Sequence, residues 1–204
     1  MLVSGVIGRV FRGRIDYCNS FPVFDNQPFL KELKRFILMD IGSHILDVAR
    51  FLFGEATELY CRTRRVRADI QGEDVASVMM TMGDGAIVTA QMSYASRVEQ
   101  DRFPETFVLI EGTEGSVELG ADYWVRVTTA EGTVSRRILP LHYPWADARY
   151  ALVHSSIVAC HANLLTGLRG EGIAETTGAD NLKTMELVFG AYESEAVGEA
   201  VRLA

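Results

Sequence analysis

The 204-residue sequence predicts an α+β fold: a large, predominantly antiparallel open sheet with helices packed on one face. Three observations predict it. Strand-like runs flank glycine turns at Gly83-Asp84-Gly85, Thr113-Glu114-Gly115 and Ala130-Glu131-Gly132, and consecutive hairpins build an antiparallel sheet. The last third changes to the longer helical period. No internal repeat, low-complexity segment or convincing linker divides the chain, so one domain over 1–204 is expected.

Taken in order, GRVFRGRIDY (8–17) alternates and reads as a strand, and NSFPVFDNQPF (19–29) as a loop with interleaved aromatics. A helix is expected from Leu30 to Phe53, with Gly54 as its stop. ATELYCRTRRVR, DVASVMMTM, AIVTAQMSYAS, TFVLIEG, SVELG, YWVRVTT and TVSRRILP follow as strands. In DVASVMMTM the apolar residues Val75, Val78, Met79, Met80 and Met82 are spread over both faces. A sheet apolar on both sides needs cover on both, so helices would take one face and a partner subunit or another domain the other. This points to a homo-oligomer formed through the sheet. ARYALVHSSIVACHANLLTGLRG reads as a helix that stops at Gly170. TTGADNLKTMELVFGAYESEAVGEAVRL reads as a closing helix, with Thr177 or Asp180 as cap and an acidic first turn.

The formal net charge of −7 argues against nucleic acid and anionic membranes, which select a basic footprint. The one basic cluster, Arg62, Arg64, Arg65 and Arg67, suits alternating strand positions on a solvated face. Cys18, Cys61 and Cys160 are odd in number and far apart, so neither a disulfide framework nor a zinc knuckle is expected and a cytoplasmic location fits. There is no secretory leader pattern, and no apolar run is expected to reach the roughly 18 residues of a membrane span.

The chemistry is concentrated in LMDIGSHILDVARFLFGE (38–55). On a helix, Asp40, His44 and Asp47 fall within about 60° of one another, a polar stripe beside the apolar Ile41, Ile45, Val48 and Leu52. An Asp four residues before a His can touch it, orient the ring and stabilise the imidazolium, as a general base requires. A merely structural pair is the commoner outcome for such a pattern. A metal site needs a third ligand, and nothing in the context of His142, His154 or His161 supplies one; no metal is assigned. Gly42 costs about 1 kcal/mol in a helix relative to Ala, so its bare backbone suggests a close approach. Residues alone leave three readings: a hydride-transfer enzyme, a metal-assisted hydrolase or isomerase, and a non-catalytic binding or oligomerisation module. No G-x-G-x-x-G follows a strand, and the glycines of SGVIG (4–8) are too close and too early.

LMDIGSHILDVARFLFGE resembles the D-x-G-x-H-x-x-D helix of the Gfo/Idh/MocA oxidoreductases, named for glucose–fructose oxidoreductase, inositol dehydrogenase and a rhizopine-catabolism protein. SGVIGRVFRGRI is similar to the family's opening strand, FVLIEGTEGSVEL to its G-T-x-G hairpin, and AETTGADNLKTMELVFGAYESEAVGEAVRL to its closing helix. The resemblance implies a C-terminal substrate-side and oligomerisation domain. Its N-terminal Rossmann domain, absent from this sequence, would hold NAD or NADP, and the isolated chain is expected to bind neither and to be inactive. The intact enzyme would act on a secondary alcohol of a sugar, cyclitol or related polyol. By the same resemblance His44 is the general base, Asp40 orients it, Asp47 is structural, and Gly42 admits cofactor or substrate. Where many members carry a Gly-Gly pair this chain reads KRFILM, which alters the local backbone. Lys34 is a candidate to reach into the cleft, against the commoner solvated lysine. Asp25, Asn26 and Gln27 carry the hydrogen-bonding groups that polyol recognition needs, with turn chemistry as the alternative.

Overall fold

All three glycine turns close hairpins in the computed structural model, which describes residues 5–99 and 105–203. Ser4, at the head of the SGVIG phrase, lies outside the described residues. The strands are β1 (Val10–Cys18), β2 (Ala56–Arg64), β3 (Val75–Met82), β4 (Ile87–Ser93), β5 (Phe107–Gly112), β6 (Gly115–Gly120), β7 (Trp124–Thr129), β8 (Gly132–Arg137) and β9 (Val201–Arg202). They form one sheet in the order β8-β7-β6-β5-β1-β4-β3-β2-β9. Every pairing is antiparallel except β1 with β4. That parallel pair arises because the chain leaves β1, crosses one face as a helical segment, and returns through the β2–β3–β4 meander.

The helices are α1 (Val23–Asn26), α2 (Ser43–Phe53), α3 (Ala151–Leu168) and α4 (Gly178–Val197). Ile15, Tyr17, Ala90, Met92, Val78, Met80, Leu59 and Cys61 point from the strands into one core. Ile45, Leu46 and Ala49 of α2 and Leu187, Val188 and Ala191 of α4 close it. Burial pushes the Cys61 thiol up to about 12, so it behaves as a small apolar side chain. Gly13 of β1 is required by this packing: a Cβ there would lie 2.2 Å from the Phe53 ring. The opposite face carries the pairs Arg12–Glu111, Arg14–Asp16 and Arg126–Glu118 beside exposed Met79 and Ile87. The β2 edge beyond the short β9 is covered by α4, where Ser194 Oγ accepts from the Cys61 amide and Glu195 from the Thr63 amide. Thr177 caps α4 by accepting from the Asp180 amide at 3.1 Å, and Gly198 ends it in the left-handed region.

Three expectations are corrected. The helix over 30–53 is not continuous. A 3-10 turn at Pro28–Glu32 gives way to extended backbone at Leu33, then to a π turn at Leu38–Gly42 that leads into α2. The helices do not all pack on the sheet, since no residue of α3 is buried. And Ala148–Leu168 is long and apolar enough to cross a membrane, by length and composition. His154, Ser155, Ser156, His161 and Asn163 interrupt that segment, so a search for an unbroken apolar run misses it. As expected, α2 ends at Gly54, whose φ of 83° favours glycine.

Arg50 clamps α2 to α4. Its side chain is 5% exposed. It donates to both Glu55 carboxylate oxygens, at 2.9 and 3.0 Å, to Asp180 at 2.9 Å and to Thr184 at 2.8 Å. Lys183 adds a second cation on Glu55 at 3.1 Å. This pairing holds the Glu55 carboxyl down at about 2, against an ordinary 4.5. A depressed carboxylate contributes stability above its unfolded value and loses it as pH falls through the folded one. The stability of the chain, followed by urea unfolding, is therefore expected to fall between about pH 4.5 and 2, with a smaller fall in Glu55→Gln. Arg50→Ala should cost about 3 kcal/mol in the same measurement at pH 7, and Arg50→Lys should recover only part, because lysine cannot reproduce the fork.

Candidate functional site

The start of the site helix is fixed from outside it. Glu73, in the loop before β3, is buried, and its Oε1 accepts from the Phe36 amide at 3.1 Å and the Leu38 amide at 3.3 Å. The Glu73 carbonyl accepts from the Ile37 amide at 3.1 Å. These are donors that a helix leaves without partners, and a carboxylate there also meets the positive end of the helix dipole. Tyr192 of α4 donates to the same Oε1 at 2.6 Å. Burial and this carboxylate push its phenol above the ordinary tyrosine value.

From that start the backbone makes one wide turn. The Gly42 amide donates to the Ile37 carbonyl at 2.8 Å, five residues back. Such π turns recur at functional sites. A Cβ at Gly42 would stand 3.3 Å from that carbonyl and 3.5 Å from the Leu38 side chain. The neighbours of the bare Gly42 backbone are therefore this chain's own preceding turn.

Asp40 sits inside the π turn and His44 in the first turn of α2. Asp40 is half-buried and His44 is exposed. The Tyr94 hydroxyl donates to Asp40 Oδ2 at 3.1 Å. Burial raises the Asp40 carboxyl above its ordinary range, while the Tyr94 hydrogen bond and the neighbouring His44 pull it back. Two elements far apart in sequence thus converge on one carboxylate, with an imidazole beside it on the solvent side. Such an arrangement can accept a proton at the ring and stabilise the resulting imidazolium.

The remaining residues of the polar stripe and its surroundings do not join this pair. Asp47 accepts from Thr184 Oγ1 at 2.7 Å and from Arg50 at 3.5 Å, which ties it to the helix clamp. Asp25, Asn26 and Gln27 are exposed on and just after α1, where the charge of Asp25 faces Arg67. Lys34 is exposed in the stretch before the π turn. Among the described residues no hydrogen bond or ion pair links these four to Asp40 or His44. Also among the described residues, no group of three His, Cys, Asp or Glu is arranged to hold a metal ion. Reading by sequence missed Tyr94, which lies 54 positions from Asp40, and Glu73. Neither carries a local signal, because each acts across the fold.

The class of the chain is now defined: an open-sheet α+β domain displaying an acid–imidazole pair at the start of its central helix. The chain belongs to the GFO/IDH/MocA family, whose C-terminal domain it matches over residues 1–118. It is 40% identical over 202 residues to a D-apiose dehydrogenase of Paraburkholderia graminis, covering 99% of this chain and 54% of that protein. A D-apiose dehydrogenase of Rhizobium rhizogenes is 40% identical over 201 residues, covering 98% and 58%. The chain thus spans about half the length of the curated relatives it matches. Among solved structures it superposes with a TM-score of 0.94 and 40% identity on an Agrobacterium radiobacter oxidoreductase in complex with NAD+, L-tartaric acid and magnesium, covering 98% of this chain and 59% of that one. Levoglucosan dehydrogenase in complex with NADH and levoglucosan shares the fold at a TM-score of 0.80 and 18% identity, covering 100% and 61%.

Removing the outside cap tests this construction. Glu73→Ala is expected to cost about 3 kcal/mol, since it strands two amides and a phenol. Amide hydrogen exchange over residues 36–44 should accelerate before the sheet loosens. Uniform acceleration would show that Glu73 does not organise the site helix.

Proposed function

We propose that the chain is the substrate-side, C-terminal half of an NAD- or NADP-dependent oxidoreductase that oxidises a secondary alcohol of a sugar, cyclitol or related polyol. The observation that carries this reading is Asp40, held by Tyr94, beside an exposed His44 at a π turn in a member of this family. The D-apiose dehydrogenases and the NAD+ complex of the Agrobacterium radiobacter oxidoreductase, each 40% identical to this chain, support the sugar and nicotinamide classes.

His44 takes the proton of the substrate hydroxyl, and Asp40 orients the ring and stabilises its cationic form. A proton-accepting imidazole with a carboxylate to steady its cation is what removing an alcohol proton needs, so the pair fits the substrate side of a nicotinamide. A nicotinamide bound beside this pair would supply the acceptor for the hydride leaving the carbinol carbon. Gly42 is buried against the Ile37 carbonyl and the Leu38 side chain, so its bare backbone serves the π turn rather than the approach of cofactor or substrate. Asp25, Asn26, Gln27 and Lys34 are the candidates for recognising further hydroxyls, and their exposure suits that task. The dinucleotide is held by an N-terminal domain outside this sequence, and the chain alone binds neither NAD nor NADP. No metal takes part in the role given to His44.

The open sheet face serves a homo-oligomer, a role supported by exposed Met79 and Ile87 among its ion pairs. The free thiols Cys18, Cys61 and Cys160 support a cytoplasmic location, and the net charge of −7 supports the absence of nucleic-acid and anionic-membrane-surface partners.

In the full-length enzyme His44→Ala is expected to lower kcat by about 10²- to 10⁴-fold, with little change in thermal unfolding. Retained turnover with a polyol substrate would refute the general-base role. Calorimetric titration of NAD(H) into the chain alone should give no binding isotherm.

A further inference from the structure

Tyr94 is held on every side. It is 7% exposed, and its ring stacks on Phe36 at 5.8 Å and meets Tyr17 edge-on at 6.0 Å. Its amide donates to the Asp74 carbonyl at 3.0 Å. The Asp74 carboxylate is in turn fixed by the amides of Val66 and Arg67. A phenol so confined can aim its hydroxyl in one direction only, and that direction is Asp40 Oδ2. Among the described residues Asp40 Oδ1 accepts no hydrogen bond, so one carboxylate oxygen is pinned by Tyr94 and the other is unbonded, with His44 near enough for its charge to act on the carboxyl.

Behind Tyr94 lies an unexplained feature. The Tyr17 hydroxyl and the Asn19 amide nitrogen are buried with no hydrogen-bond partner among the described residues, in side chains 2% and 1% exposed. A buried polar group left unpaired is costly, and each one calls for a reason. The Tyr17 hydroxyl faces Asn19, the Tyr94 hydroxyl and the charge of Asp40. With its proton committed to Asp40, the Tyr94 oxygen is an acceptor, and Tyr17 is the donor that faces it. The two hydroxyls are not bonded to each other in this structure, and closing that gap would satisfy the Tyr17 donor. Donors arranged in series polarise one another toward the final acceptor.

We infer that Tyr17 and Tyr94 form a buried hydroxyl chain that ends on Asp40, with Tyr94 as a positioning residue for the carboxylate that serves His44. The inference rests on the roles of His44 and Asp40 proposed above. The titratable groups facing Asp40 are His44 from α2, Tyr94 from the loop after β4 and Tyr17 from β1.

The test is a carboxyl-carbon NMR titration of this chain labelled at aspartate, in which Asp40 and Asp47 are assigned. Tyr94→Phe removes a bond to the charged form, so the Asp40 titration should shift upward while Asp47 and the far-ultraviolet circular dichroism stay unchanged. Tyr17→Phe should shift Asp40 in the same direction by less. An unmoved or lowered Asp40 titration in folded Tyr94→Phe overturns the inference. If Tyr94→Phe does not fold, an unmoved titration in Tyr17→Phe does so instead. In the full-length enzyme Tyr94→Phe should lower kcat about tenfold, the worth of one such bond, with KM unchanged and the acidic limb of the pH profile moved upward. The His44→Ala enzyme separates the two claims. Retained turnover there, with Asp40 shifting as expected, defeats the general-base role and leaves the hydroxyl chain. Lost turnover with an unmoved Asp40 titration defeats the hydroxyl chain and leaves the general base.

Discussion

The Glu73 carboxylate occupies the point where three parts of the chain meet. It receives two amides from the start of the site helix and a hydroxyl from α4, while its own residue leads into β3. Without that acceptor the helix would begin inside the core with unpaired donors, beside fully buried Phe36, Ile37 and Leu38. Its placement sets where the helix starts. The start then sets where the wide turn falls, and the wide turn carries Asp40. The position of the acid–imidazole pair therefore depends on a residue that is not itself a member of the pair.

The polar stripe that reads as one unit on a helical wheel divides into two systems. At one end Asp40 and His44 sit beside the Tyr94 hydroxyl, with the imidazole open to solvent. At the other, Asp47 belongs to the Arg50, Glu55, Asp180 and Thr184 clamp. The second system holds α2 against α4, which the role proposed for the first would require, because a general base must hold its geometry to within a fraction of an ångström. Removing the water around Arg50 is offset by several donors and acceptors at once. One isolated surface pair would contribute far less.

Much of the sheet was legible because its signals are local. Hairpin turns at Gly83–Gly85, Thr113–Gly115 and Ala130–Gly132, and the Thr177 cap, need only a few neighbouring residues. The local pattern over 30–53 predicts a continuous helix because the break is imposed from a distance, by Glu73 at Phe36 and Leu38. The parallel β1–β4 pair was likewise invisible, since strand order depends on where the crossover returns. At the site, Asp40 and His44 were legible through spacing and resemblance. Tyr94, Tyr17 and Asn19 were not, because an aromatic near a strand end has the same appearance in sequence whether its hydroxyl meets solvent or a buried carboxylate.

The site also runs along a gradient of burial that makes chemical sense. Tyr17 and Asn19 are sealed in the core, Tyr94 nearly so, Asp40 is half-buried and His44 is open. A fully buried carboxylate without donors to offset its burial would be protonated and of no use to an imidazole, whereas one in bulk water would be screened and free to rotate. Half-burial with one donated hydroxyl is the intermediate that keeps the charge and fixes its direction. An exposed imidazole completes the gradient, and that openness is what the proposed role of His44 requires, since a ring enclosed by this domain could not reach a substrate.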